Sequence, residues 1–341
     1  MYRVSIFIQS KHNSPKNFNV MKKLFILFMA MMMVATSCKK ALTVKVDNAS
    51  VGIASEVLVI MDKSIWPQEI QDSVRSLLSV PQPCLNQDEP MFDVLLLDEQ
   101  FFQADKQRHY NIIRFEVTQD DSATCEISKG IYAHPQVLVE IKGKDLNACF
   151  QCFVDKQEEI RIALYENDIK KISAAYETIL NVELQRRIKD KFGILLTVPK
   201  DYSVAREGDD FLWIAYRTAV NDRFVMIYRS DSTVITKESM INDRNNFCRK
   251  FIEGEKDSVH PVVTRLAGLP DARPMQLGSK IGMEMRGLWE TENDYMGGPF
   301  YHFSYVNAQN KCISVDGFVY APNEPKRNYL RQVEAIVKSV K

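Results

Sequence analysis

The 341-residue chain balances 44 lysines and arginines against 44 aspartates and glutamates, with 45% hydrophobic and 26% charged residues. That composition belongs to a folded globular protein, and with no clustered basic surface it argues against nucleic acid as a partner. A single hydrophobic core rarely serves this length, so two domains are expected.

The first readable element starts at Met21. Met21-Lys22-Lys23 is a short basic end, Leu24 to Val34 is an apolar run, and Ala35-Thr36-Ser37-Cys38 places small residues before a cysteine. This order is that of a secretory signal, and the apolar run is shorter than the roughly 20 residues a membrane span needs. Ala35-Thr36-Ser37-Cys38 resembles the lipobox of bacterial lipoproteins, with Ala35 where leucine is usual. The resemblance implies lipidation of Cys38 and cleavage before it, with the membrane as a partner through that lipid. Residues 1–20 fit no part of a signal and are read as a misassigned start, with an extended basic region as the alternative. Cleavage would leave 304 residues with 39 basic and 44 acidic groups, a net charge of −5. Residues 38–52 form a polar tether that reaches less than about 50 Å when fully extended. Lys39-Lys40 directly after the cysteine, rather than acidic residues, favours the periplasmic face of an outer membrane.

In residues 53–191, Glu56–Met61, Phe92–Leu97, Asn111–Val117 and Gln136–Ile141 are expected as strands. Helices are expected over Trp66–Leu78, near Glu99–Lys106 and from Asp145 to Lys191. The polar stretch Tyr165-Glu166-Asn167-Asp168 is expected to break the last of these in two, and Phe192-Gly193 to end it. Strands alternating with helices imply a mixed α/β layer. The boundary between the two domains is placed at residue 192.

In residues 192–341, Ile194–Val198, Tyr202–Arg206, Phe211–Arg217 and Arg223–Arg229 are expected as antiparallel strands, followed by a helix over Thr236–Ile252. Gly282–Glu290, Pro299–Val306 and Lys311–Tyr320 are further strands, the last two joined by a turn at Asn307–Asn310. Lys326–Val340 is the clearest helix, with Tyr329, Leu330, Val333, Ile336, Val337 and Val340 on one stripe. The expected class is α+β, an antiparallel sheet with helices on one face, a layout that resembles the PsbP-like fold. That likeness concerns fold alone.

Chemistry-bearing motifs are scarce. Cys149-Phe150-Gln151-Cys152 has redox spacing, but Cys149 lies inside a helix on its apolar stripe and reads as core. Without Cys38, six cysteines remain, whose connectivity is open. His109, His134, His260 and His302 are isolated, so no metal site or cofactor fingerprint is read. Trp289 to Tyr320 holds eight aromatics in 32 residues, 25% against 10% in the whole chain. Tyr301, Phe303 and Tyr305 alternate and should share one sheet face. With Trp289, Tyr295 and the glycines Gly297 and Gly298 of a flexible loop, they form the candidate surface for a protein or glycan partner. The competing expectation is that these rings pack beneath the Lys326–Val340 helix. An alternative function is a hydrolase of envelope glycan or peptide using carboxylates within Glu284–Asp294.

The segments Gly287-Leu288-Trp289, Tyr295-Met296-Gly297-Gly298-Pro299-Phe300 and Asp316-Gly317-Phe318-Val319-Tyr320-Ala321-Pro322 carry a family likeness. So do Val57 to Asp62 with Trp66, and Asp209-Asp210-Phe211-Leu212-Trp213. Together they resemble an uncharacterised family of Bacteroidetes lipoproteins over nearly the whole mature chain. The likeness implies an exported, lipidated, two-part α/β protein without an assigned activity.

Overall fold

A computed structural model describes residues 48–252, 259–266 and 268–341; the apolar segment after Met21, Cys38 and most of the tether lie outside them. In the first half, β1 (Glu56–Met61), β2 (Asp93–Asp98), β3 (Asn111–Val117) and β5 (Val137–Gly143) run parallel in the order β2-β1-β3-β5. Strand β4 (Thr124–Lys129) adds antiparallel at the β5 edge. Strands buried on both faces read as unbroken aliphatic runs, which is why the parallel strands are visible in the sequence. Val57, Val59, Ile113 and Val139 pack under α1 (Gln68–Leu78) and α2 (Leu146–Thr178), while Leu58, Ile60, Ile112 and Leu138 face Phe102. β4 has no such run, and its Thr124, Glu126 and Lys129 are exposed. Two short 3-10 turns, Glu99–Phe101 and Ala104–Lys106, occupy the place of the expected short helix.

Helix α2 does not break at Tyr165–Asp168. Tyr165, Asn167 and Asp168 turn inward, where Asn167 donates to the Tyr110 carbonyl (2.8 Å) and Asp168 accepts the Ser55 N–H (3.1 Å). Polarity here marks a buried network rather than a loop. The break falls at residues 179–181, where the Asn181 side chain caps α3 (Val182–Phe192) by accepting the Leu184 N–H at 3.0 Å. Gly193 then ends α3 at φ +72°, a left-handed stop that glycine adopts without strain.

The second half is an eight-stranded antiparallel sheet in the order β10-β11-β12-β13-β8-β7-β6. Its strands are β6 (Ser203–Gly208), β7 (Phe211–Arg217), β8 (Asp222–Ser230), β10 (Asp271–Leu277), β11 (Lys280–Thr291), β12 (Gly297–Val306) and β13 (Cys312–Tyr320), with β9 (Pro261–Val263) also on β11. α5 (Arg327–Lys338) covers one face, and so does α3, a helix that a boundary at residue 192 assigns to the first half, through Leu184, Ile188, Leu330, Val333 and Ile336. α4 (Lys237–Phe251) adds a partial cover to the other, through Met240, Ile241 and Cys248. Ile194–Val198 is buried yet joins no sheet, because Leu195 exchanges both backbone hydrogen bonds with Lys341, each 3.1 Å. The class is mixed α+β.

Charge joins the two halves. On α5, Arg331 is fully buried and donates to Asp168, to the Ser55 hydroxyl (2.7 Å) and to the Met91 carbonyl (2.5 Å). One turn on, buried Glu334 accepts from the Tyr165 hydroxyl, from both Arg286 Nη atoms (3.0 and 2.5 Å) and from Lys338 (2.9 Å). Burial alone would push the Glu334 carboxyl up, but Arg286 and then Lys338 outweigh it and hold it well below the usual carboxylate range. The start of α5 lacks a cap of its own. Glu89 supplies one from the first half, accepting the Lys326 and Arg327 N–H groups at 2.6 and 2.8 Å.

Candidate functional site

Tyr301, Phe303 and Tyr305 share one face of β12, and that face is core rather than surface. All three are at most 4% exposed beneath α3 and α5, and the Tyr301 hydroxyl donates to Glu284 at 2.6 Å. The aliphatic stripe of α5 needs a partner of equal breadth, and these rings provide it. Trp289 is buried too, with Phe300 and Phe318 on the α4 face, its indole N–H donating to the Val319 carbonyl at 3.1 Å. Gly297 and Gly298 are not a flexible loop. They open β12 opposite Glu290 and Trp289. A Cβ on Gly298 would lie 2.1 Å from the Val319 oxygen, and one on Gly297 2.8 Å from the Trp289 oxygen, so close strand approach demands both glycines. The expected common surface is therefore not assembled, and only Tyr295 of its aromatic members is exposed.

The β11–β12 connection instead holds Tyr295 out. Thr291 clamps its base, its N–H donating to the Met296 carbonyl (2.9 Å) while its hydroxyl accepts the Met296 N–H (3.1 Å). Asp294 accepts the Tyr295 N–H at 2.7 Å. Tyr295 borders a cleft of about 510 Å³ that is walled by Glu290, Asp294, Tyr320 and Asn323 and, from the first half, by Asn86 and Gln87. Behind it, Trp289 backs the half-buried Tyr320, ring centroids 6.4 Å apart. The floor is closed by hydrogen bonds: Lys326 donates to Gln87 (3.2 Å) and to the Glu324 carbonyl (3.0 Å), and Gln87 donates to Glu89 (2.9 Å). The aromatic and carboxylate members lie within the stretch picked out in the sequence. Asn86, Gln87 and Lys326 do not: the packing of the halves brings Asn86 and Gln87 there, and Lys326 comes from the start of α5.

Of the carboxylates in Glu284–Asp294, Glu284 is unavailable for catalysis. It is 1% exposed and tied to Tyr301 and Arg273. A different constellation emerges on the α4 face. His302 opposes Asp316 and Ser304 opposes Ser314 across β12 and β13. His302 Nδ1 lies 3.0 Å from Asp316, and the Ser304 hydroxyl lies 2.6 Å from His302 Nε2. These are the spacings of a Ser-His-Asp triad. Yet all three residues are at most 1% exposed under α4, Ser304 also meets Ser314 at 2.7 Å, and Asp316 is paired with buried Arg244 at 2.9 Å. Burial pushes the Asp316 carboxyl up, while Arg244 and His302 together bring it below its ordinary value. No substrate reaches the hydroxyl in this arrangement, and the five residues form a polar strip that fixes α4 on the sheet.

Cys149 is fully buried, and burial pushes its thiol up to about 11, the reverse of a redox-active cysteine. The six described cysteines are free thiols. Among the described residues, no group of three or more His, Cys, Asp or Glu side chains is placed to hold a metal ion, and no helix is long and apolar enough to cross a membrane.

Comparison with known proteins places both halves. No curated protein matches the chain. A crystal structure from Bacteroides thetaiotaomicron VPI-5482 is similar at 9% identity and a TM-score of 0.24, over 43% of this chain and 44% of that one. This chain thus spans less than half the length of that protein. Residues 50–177 match a domain of unknown function, DUF8532, and residues 181–339 match a second, DUF4837, so that two domains of unknown function cover most of the chain.

Proposed function

We propose that the protein is a lipoprotein of the cell envelope, held through a lipid on Cys38 at the periplasmic face of an outer membrane, and that it binds an envelope partner in the Tyr295 cleft. The observation that carries the binding reading is Tyr295 itself: a fully exposed ring, contributing nothing to its own core, beside a cleft walled by both halves. Single exposed apolar groups are ordinary, but a ring set among carboxylates and amides at a domain junction has the make-up of a ligand site. A photo-crosslinking residue placed at Tyr295 in intact cells should capture a specific product. Capture no greater than from the same group at Val182, which is 68% exposed on α3, would overturn the reading. The anchor has its own test. A fatty-acid analogue should label the wild type and not Cys38→Ala, and labelling of both would exclude lipidation at Cys38.

A further inference from the structure

We infer that the Tyr295 cleft takes an uncharged saccharide, an assignment that rests on reading the cleft as a binding site. The chemistry that remains free there decides the class. Lys326, the only cation in the wall among the described residues, has its ammonium engaged by Gln87 and the Glu324 carbonyl, and Gln87 is engaged in turn by Glu89. Glu290 and Asp294 are exposed carboxylates, one oxygen of Asp294 being taken by the Tyr295 N–H. Two exposed carboxylates outnumber the one cation, a residue only 3% exposed, so the cleft disfavours a phosphate, sulfate or carboxylate ligand.

What remains suits hydroxyl groups. A carboxylate accepts from two adjacent hydroxyls, and the exposed amides Asn86 and Asn323 each donate and accept side by side. Tyr295 and Tyr320 offer ring faces for the C–H face of a pyranose, with Tyr320 held by Trp289 behind it. The cleft volume of about 510 Å³ falls inside the ~300–1,000 Å³ span of small-ligand sites. A basic peptide would also use the two carboxylates and stack its cations on the tyrosines, so it is the competitor that the test must include.

The test uses the full chain in detergent against an array of neutral and anionic glycans, with tetralysine as the peptide probe, and titration calorimetry on whatever binds. Neutral glycans should bind with little change between low and high salt. Tyr295→Ala should weaken that binding about tenfold or more, Tyr295→Phe no more than about threefold, and Asn323→Ala by several-fold. Tyr295 and Asn323 are exposed, and circular dichroism checks the fold; because Asn323 lies at φ +63°, Asn323→Gly, which keeps that backbone and removes the amide, separates a lost contact from a shifted turn. Binding of no neutral glycan, or binding of anionic glycans or tetralysine alone, overturns the saccharide assignment. Crosslinking at Tyr295 to a protein with no glycan bound would overturn it while leaving the cleft a binding site. Neutral-glycan binding unaffected by Tyr295→Ala would overturn both.

Discussion

Arg331 and Glu334 sit a turn apart on α5, each buried with its counter-charge on another element. Such pairs add little net stability over a well-packed apolar substitute, but removing one partner strands a charge. Asp168→Ala should therefore cost about 3–5 kcal/mol in urea unfolding, because Arg331 is then buried without its carboxylate. Recovery of most of that loss in the Asp168→Leu, Arg331→Met double variant would confirm the stranded charge as the cause. Glu334 has a folded pKa held below its unfolded value, so its contribution is fully present above the ordinary glutamate value near pH 4.3 and is lost as the pH falls toward the folded value. Glu334→Gln should accordingly lower stability at pH 7 and flatten the acid limb of the profile below about pH 5. An acid limb as steep as that of the wild type would assign it to other carboxylates. This network also explains a misreading of the sequence. Tyr165, Asn167 and Asp168 look like a helix break to any rule of composition, since nothing local reveals that their partners are Tyr110, Ser55 and Arg331.

The elements differ in how far their sequences announce them. β1, β2, β3 and β5 stand out because double-sided burial demands aliphatic runs, and α5 because one stripe is apolar. β4 and β10 are edge strands with much of their surface in water, and carry no comparable signature. Ile194–Val198 is an apolar run of strand length but finds its backbone partner in Lys341. The aromatic alternation of β12 is legible as a shared face, and of the two expectations it raises, packing beneath α5 is the one the structure shows. The α5 cap is equally hidden, since Glu89 lies more than 230 residues away in sequence. Glu89→Ala should lower stability by about 0.5–2 kcal/mol, the usual range for a lost cap. A melting temperature unchanged from wild type would show that water replaces it without loss.

For the molecule as a whole, the two halves share a buried charged seam rather than a linker. A protease site inserted at residues 179–181 and then cut should leave both pieces co-eluting at the intact volume in size-exclusion chromatography. Separation at low salt would show that the seam holds only while the chain is continuous. The Tyr295 cleft depends on the same seam, because Asn86 and Gln87 reach it only when the halves are docked. α5 meets α2 on one side and β12 and β13 on the other, and it follows every other described element in the chain. A chain emerging from its N-terminus therefore presents all thirteen described strands before either partner of α5 is covered. Until α5 arrives, Tyr301, Phe303 and Tyr305 have only α3 for cover and Asp168 lacks Arg331, so the nascent chain passes through an interval of exposed hydrophobic surface.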